Sequence, residues 1–372
     1  MTGRGRRRLS AVVGAAVLAV AALTPAAHAQ EHAATQEVLN RYQQKAGPGA
    51  AVHAGQGAGS WTLSAGSASV SEQRAIKPGD HFRIGSQTKT FTAAVVLQLF
   101  DEGLVELDAP IEKYLPGVVT GNYDGNVITV RQLLDHTAGL VRDPAGAKAE
   151  PDGHFTLAAL VQAAMDDPPQ GTPGGPHLYS NAGYLVLGML VEKLTGQSIG
   201  DAITSRIITP LGLTGTSFPA RGQRALASPF VPGYQGIRVG GFFFWYNATT
   251  LVELSSWSSA AAMESTMEDL VRFQRALAAG EVVSAKALAE MRTTVPLAPD
   301  PPMGYGLGLF SMGLSCGGEA WGHNGVLPTG HASITMVTDD GRFASVMTNT
   351  NFVTADPSSL DVVDTALCEG ES

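Results

Sequence analysis

The sequence predicts an α+β fold, an antiparallel β-sheet flanked by helices with an all-helical insertion domain beside it. Three observations predict it. Short runs at 49–54 and 60–70 surround a glycine-rich turn (Gly55, Gly57, Gly59) and read as a strand pair. Runs near 305–312, 331–338 and 342–349 read as strands at the far end of the chain. Between these ends the apolar residues take helical spacing. Strands from both ends can then join one sheet while the middle packs next to it. The sheet-bearing part is expected at about 30–95 and 300–372, and the helical part at about 96–299.

Residues 35–46 read as a first helix with Val38, Leu39 and Tyr42 on its apolar side. In the 87–103 segment Val96, Leu99, Phe100 and Gly103 follow i, i+3, i+4, i+7, the spacing of one helix face. Further helices are expected near 128–136, 155–166, 181–195, 199–208, 266–279 and 284–292, with a last one near 357–368. Pro- and Gly-bearing loops fall at 143–153, 167–176 and 218–240. The aromatic run 242–246 is expected to be core or cleft wall. Gly196-Gln197-Ser198-Ile199-Gly200 matches the Gly-x-Ser-x-Gly elbow, but that elbow needs a strand before it. Leu187, Leu190, Val191 and Leu194 have helical spacing there, so Ser198 reads as a connection between helices. The glycines 304, 306 and 308 read as a closely packed strand, since no βαβ unit accompanies them.

The chain has 372 residues, 44% hydrophobic and 15% charged, which describes a globular protein with a sizeable core. A net charge of −9 argues against nucleic-acid binding. Arg4, Arg6, Arg7 and Arg8 precede an apolar stretch at 9–23 and then Ala27-His28-Ala29. This is the pattern of a secretory signal peptide over 1–29, cut before Gln30. The stretch is too short for a membrane anchor, which needs about 20 residues. The mature protein is therefore expected outside the cell, without a membrane anchor, and as a monomer. Export permits Cys316 and Cys368 to pair, the alternative being two buried thiols. No His or Cys spacing completes a zinc site, and no cofactor is expected.

Three short motifs carry the chemistry. In Ser86-Gln87-Thr88-Lys89, Ser and Lys at i and i+3 share a helix face. A serine hydroxyl needs a neighbouring base, and a lysine kept neutral by burial can be one. In Tyr179-Ser180-Asn181, the phenol can shuttle a proton and Asn181 offers a donor and an acceptor to a substrate amide. Asn181 also suits the N-cap of the following helix. In His323-Asn324-Gly325, a glycine on an edge strand allows close backbone approach. The N–H of Val326 would then face Ser86 as an oxyanion donor.

The ordered set resembles the penicillin-recognising serine enzymes, whose Ser-x-x-Lys is followed by a second and a third motif. The segment from Phe82 through Lys89 resembles the nucleophile segment of soluble serine D-Ala-D-Ala carboxypeptidases and class C β-lactamases. Leu133-Leu134-Asp135-His136-Thr137-Ala138-Gly139-Leu140 resembles a structural segment of that superfamily, and the Ser-Trp-Ser at Trp257 a stretch lining its cleft. The resemblance runs from about 35 to 369 and implies a β-lactamase/transpeptidase-like fold. It implies that Ser86 forms an acyl-enzyme, that Lys89 and Tyr179 move protons, and that Asn181 holds the substrate amide. His323 would relay protons or electrostatically support Tyr179, the Ser86 and Val326 N–H groups would form the oxyanion hole, and His323, Asn324, Gly325, Val326 and Trp257 would line the substrate site. The implied activity is removal of the terminal D-Ala from peptidoglycan stem peptides, with β-lactams as further acyl donors. Class C enzymes usually carry Lys where this chain has His323, and the peptidase branch often has Thr where it has Asn324. Residues 303–323 contain no Arg or Lys for a substrate carboxylate, leaving Arg342 or Arg238 as candidates. An esterase, a D-amino-acid amidase, a class C-like β-lactamase and a non-catalytic penicillin or peptidoglycan sensor therefore remain open.

Overall fold

The computed structural model describes residues 1–2, 31–239, 242–299, 302–352, 354 and 356–370. The expected signal peptide falls almost entirely on 3–30, outside the described residues. Strands β1 (Gly49–Gln56) and β2 (Gly59–Gly66) form the expected hairpin near the N-terminus. Strand β3 is the two-residue Phe82–Arg83, β4 and β5 are Tyr234–Val239 and Phe242–Asn247, and β6 is Glu264–Ser265. The later strands are β7 (Val295–Pro299), β8 (Pro302–Tyr305), β9 (Phe310–Gly313), β10 (Glu319–Leu327), β11 (His331–Thr338) and β12 (Arg342–Thr348). The main sheet has eight antiparallel strands in the order β2-β1-β12-β11-β10-β9-β8-β7. The first hairpin joins the C-terminal strands through β1 and β12, with Val52 opposite Val346.

Among the described residues the α-helices of four residues or more are α1 (Ala33–Ala46), α2 (Thr88–Asp101), α3 (Val130–Leu134), α4 (Leu157–Asp166), α5 (Asn181–Thr195), α6 (Ile199–Ile203), α7 (Ser258–Ala261), α8 (Met267–Ala278), α9 (Ala285–Met291) and α10 (Ser359–Cys368). Helices α1 and α10 cover one sheet face, where Leu39, Val363, Val52, Ile334 and Val346 form one core. A larger core joins α2, α4, α5 and α8 through Leu97, Leu160, Leu187 and Phe273. Strand β11 is buried along its whole length because helices cover it on both faces, so no alternation shows in His331–Thr338.

Several expectations change. The single strand near 305–312 is two strands, β8 and β9, because Gly306 and Gly308 turn the chain between them. A Cβ at Gly306 would lie 2.1 Å from the Met291 carbonyl, and Gly308 has φ +83. The 96–299 region is not all helix: β7 is the sheet's edge strand and α8 packs on β11 and β12. In the aromatic run 242–246, Phe244 and Tyr246 are exposed, at 58% and 44%, rather than core. The run forms β5 of a separate hairpin with β4. Ser198 caps α6 after the left-handed Gly196 ends α5, as a connection between helices requires. Cys316 and Cys368 form a disulfide.

Candidate active site

The nucleophile segment is fixed from below. Strand β3 pairs with β6, and the fully buried Arg83 guanidinium lies 3.4 Å from the Glu264 carboxylate. Arg83 Nη2 also donates to the Arg224 and Ala225 carbonyls at 3.0 and 3.2 Å. Gly85 follows at φ +54, and a Cβ there would come within 2.7 Å of Val326 N. This left-handed step lets the 3-10 turn Gly85–Gln87 lie against β10 before running into α2. Gln87 Nε2 donates to Ser333 Oγ at 2.7 Å and ties the turn to β11. Ser86 therefore sits partly exposed at a helix N-terminus, where the dipole favours a developing oxyanion.

Lys89 is 0% exposed one turn later. Its Nζ lies 3.2 Å from Ser86 Oγ, 2.6 Å from Asn181 Oδ1 and 3.0 Å from the Ala260 carbonyl. Burial holds the amine well below its ordinary pKa; Asp143 raises it and Arg142 lowers it by smaller amounts. The two carbonyl oxygens can only accept hydrogen bonds. In the neutral amine both N–H bonds are taken by them, and the lone pair is left facing Ser86 Oγ. That is the geometry of a base for the serine proton.

Tyr179 stands beside Lys89, whose Nζ lies 4.7 Å from the tyrosine ring centroid. Burial pushes its phenol above the usual value, against a lowering hydrogen bond with Ser86, so the resting phenol is protonated. The N-cap of α5 is Ser180, whose Oγ accepts from Gly183 N at 3.0 Å and donates to the Val141 carbonyl at 2.7 Å. Asn181 is thus the first helical residue rather than the cap. With its Oδ1 on Lys89, Asn181 donates from Nδ2 to Asp143 Oδ1 at 2.6 Å. It orients Lys89, and its Oδ1, which accepts from Nζ, keeps a second lone pair for a substrate N–H.

Strand β10 pairs with β9 only over Glu319–Gly322, so the edge from His323 onward is open where Ser86 approaches. A Cβ at Gly325 would lie 1.8 Å from the Ile84 carbonyl and 3.0 Å from Ser86 N. The glycine is what lets the two backbones touch. Ser86 N donates to none of the described hydrogen bonds, which leaves it and the adjacent Val326 N at the position of an oxyanion hole.

His323 does not face substrate. Its ring is 1% exposed and both nitrogens are engaged. Backbone Ser180 N donates to His136 Nδ1 at 3.1 Å, so His136 carries its proton on Nε2, which donates to Tyr305 Oη at 3.1 Å. Tyr305 Oη then donates to His323 Nε2 at 2.9 Å, and His323 Nδ1 donates to the Asn324 carbonyl at 2.5 Å. The chain fixes both tautomers and joins the second motif to the third through β8. Burial holds His323 down to about 3, so it stays neutral and positions β10 rather than relaying protons to Tyr179.

The structure thus brings Ser86, Lys89, Tyr179, Asn181, Gly325 and Val326 together. The exposed Asn324 side chain lines an adjoining cavity with Val326. Half-buried Trp257 caps α7, three residues before the Ala260 carbonyl that holds Lys89. It does not line that cavity. Arg342 lies at the far end of the sheet on Asp340 and the Leu367 carbonyl. Arg142 and Asp143 went unnoticed in the sequence. The Arg142 guanidinium carbon is 5.4 Å from the Tyr179 ring centroid, and the Asp143 carboxylate is half exposed at the rim. They sit in a loop three residues past the Thr137-Ala138-Gly139-Leu140 run, and only folding carries that loop to α5. Among the described residues no cluster of His, Cys, Asp and Glu is arranged to hold a metal.

The beta-lactamase family model matches residues 28–366. The chain belongs to the beta-lactamase family. As a member of it, the protein is a serine hydrolase with the antiparallel sheet and helices of the β-lactamase/transpeptidase-like fold. It is similar in structure to a D-stereospecific amidohydrolase from Streptomyces sp., with TM-score 0.80 and 38% identity over 91% of this chain and 98% of that one. It is also similar to the D-amino acid amidase of Ochrobactrum anthropi SV3 complexed with D-phenylalanine, with TM-score 0.78 and 26% identity over 92% and 99%. Penicillin-binding protein 4* of Bacillus subtilis (strain 168) is 26% identical over 279 residues, 71% of this chain and 59% of its own length. The chain thus spans about three fifths of the length of this curated relative.

Proposed function

We propose that this beta-lactamase-family hydrolase takes the aminoacyl group of a D-configured amide, ester or short peptide onto Ser86 and releases it to water. The observation that carries this reading is Asp143. It places a half-exposed carboxylate at the cleft rim, hydrogen-bonded to the Asn181 that holds Lys89 and 3.6 Å from the exposed Arg142 guanidinium, where a substrate α-ammonium would compete with Arg142 as its counter-ion. Similarity to the D-stereospecific amidohydrolase and the D-amino acid amidase over nearly their whole lengths supports the stereochemistry. The steps follow from the protonation states. Neutral Lys89 takes the Ser86 proton as Oγ bonds to the carbonyl carbon, and the oxyanion is held by the Ser86 and Val326 N–H groups. The protonated Tyr179 gives its proton to the leaving nitrogen as the C–N bond breaks, and Lys89 returns a proton to the phenol. Water then attacks the acyl carbon and gives a proton to Lys89, which passes it to Ser86 Oγ as the Oγ–C bond breaks and the acid leaves. Export belongs to the same proposal; the 1–29 pattern and the Cys316–Cys368 disulfide support it.

A second reading is the D-Ala-D-Ala carboxypeptidase of peptidoglycan stem peptides, favoured by Arg142. Its guanidinium beside Tyr179 is a candidate partner for a terminal carboxylate. Turnover of D-alanine amide, L-alanine amide and a peptide ending in D-Ala-D-Ala distinguishes the two. Preference for the D-amide is expected, and Ser86→Ala should lower turnover by about 10⁴-fold or more. Retained activity in that variant removes the nucleophile assignment, and selective turnover of the D-Ala-D-Ala peptide moves the function to the second reading.

A further inference from the structure

Tyr179 and the third-motif strand also form one wall of a cavity of about 280 Å³. Its catalytic side is Tyr179, Asn324 and Val326; beyond them stand Leu297, Met303, Phe310 and Leu360, with the neutral polar groups of His177 and Ser333 among its other walls. No Asp, Glu, Lys or Arg is among the described residues that line it. Small-molecule pockets hold roughly 300–1,000 Å³, so this one stands at the small end of that range, with room for an alkyl or aryl group.

The side of the cleft decides what enters it. The leaving nitrogen takes its proton from Tyr179, so a substituent on that nitrogen extends along the Tyr179 flank, where this cavity opens. We infer that the cavity is the leaving-group subsite and that the preferred substrates carry a bulky apolar alkyl or aryl group on the leaving amine. This inference rests on the D-aminoacyl hydrolase reading above and names the substrate class within it. The chain's own sequence makes the subsite. Leu297 lies where the β7–β8 register shifts between Pro296 and Ala298, and is 38% exposed at the rim. Phe310 and Ile334 face the cavity from β9 and β11, next to the open end of β10.

The test is a series of D-alanine N-alkylamides, from the primary amide through methyl, propyl and hexyl, assayed with the full chain. kcat/KM is expected to rise about fourfold per methylene buried until the cavity is full. Hexylamine is expected to inhibit competitively, and methylamine far less. Leu297→Asp should flatten the series and weaken hexylamine inhibition while primary-amide turnover stays within about twofold. A flat series in the wild type with normal primary-amide turnover overturns the subsite and leaves the D-aminoacyl reading standing. An unchanged slope in Leu297→Asp, with hexylamine inhibition also unchanged, overturns the subsite as well. Loss of all turnover of D-alanine amides, primary and substituted, overturns the D-aminoacyl reading and the subsite with it.

Discussion

In the proposed reaction Lys89 is the base because three atoms from three different segments surround it. Asn181 Oδ1 and the Ala260 carbonyl consume two donors, and Ser86 Oγ takes the remaining direction. A lysine in water would be an ammonium at neutral pH; burial opposes that by penalising the charge and holds the Lys89 pKa well below its ordinary value. The sign gives a prediction. Acylation needs the neutral amine, so kcat/KM rises with pH through the Lys89 pKa, which lies below the ordinary 10.5. Asp143→Asn removes a charge that raises this pKa and should move the acid limb to lower pH. Arg142→Gln removes one that lowers it and should move the limb to higher pH. Limbs that shift together, or not at all, would remove Lys89 as the titrating base; pH–rate profiles of single-turnover acylation decide.

At the scale of elements, the site is a contact between a helix-starting turn and an open strand edge. Gly85 and Gly325 face each other there, and neither position has room for a side chain. Gly325→Ala puts a methyl 1.8 Å from the Ile84 carbonyl, and backbone cannot give way as a flexible side chain would. A displacement of about 1 Å at the oxyanion hole costs on the order of a hundredfold in rate, so acylation should fall at least that far. Gly59→Ala is the matched control, since its nearest neighbour would be the Gln56 carbonyl at 3.5 Å. Equal acylation rates in the two variants would show that the strand edge is not in the reaction path.

Across the whole molecule, the two ends of the chain meet in one layer on the main sheet. Strand β1 from the N-terminal part pairs with β12, and helix α10 lies on the same face as α1. The Cys316–Cys368 bridge, with Cα atoms 5.5 Å apart, pins α10 to the turn before β10 across 52 residues. In the chain-entropy model such a loop contributes roughly 4 kcal/mol. The double variant Cys316→Ser/Cys368→Ser should lower unfolding stability by about that amount in a denaturant titration, with D-amide turnover at 25 °C unchanged. A bridge whose loss leaves the denaturation midpoint in place would not constrain the unfolded chain.

Much of this was readable in the chain itself. Helix spacing placed α1, α2, α5 and α8 within a few residues, because amphipathic periodicity is a local property. The Ser-x-x-Lys and Tyr-x-Asn spacings singled out Ser86, Lys89, Tyr179 and Asn181, since i and i+3 share a helix face before any tertiary contact forms. Fully buried strands such as β11 show no alternation, and the short β7 and β8 carry too few residues for a period. What only the tertiary structure decided is the role of each group. Whether Lys89 is a base depends on its burial, and whether Asn181 reaches the lysine depends on α2 and α5 packing together. Whether His323 moves protons depends on Tyr305 and His136, which stand 18 and 187 positions away in the chain. Residue order sets which elements form. Protonation and hydrogen-bond direction come from what distant segments bring to within about 3 Å, and that distance exists only in the folded chain.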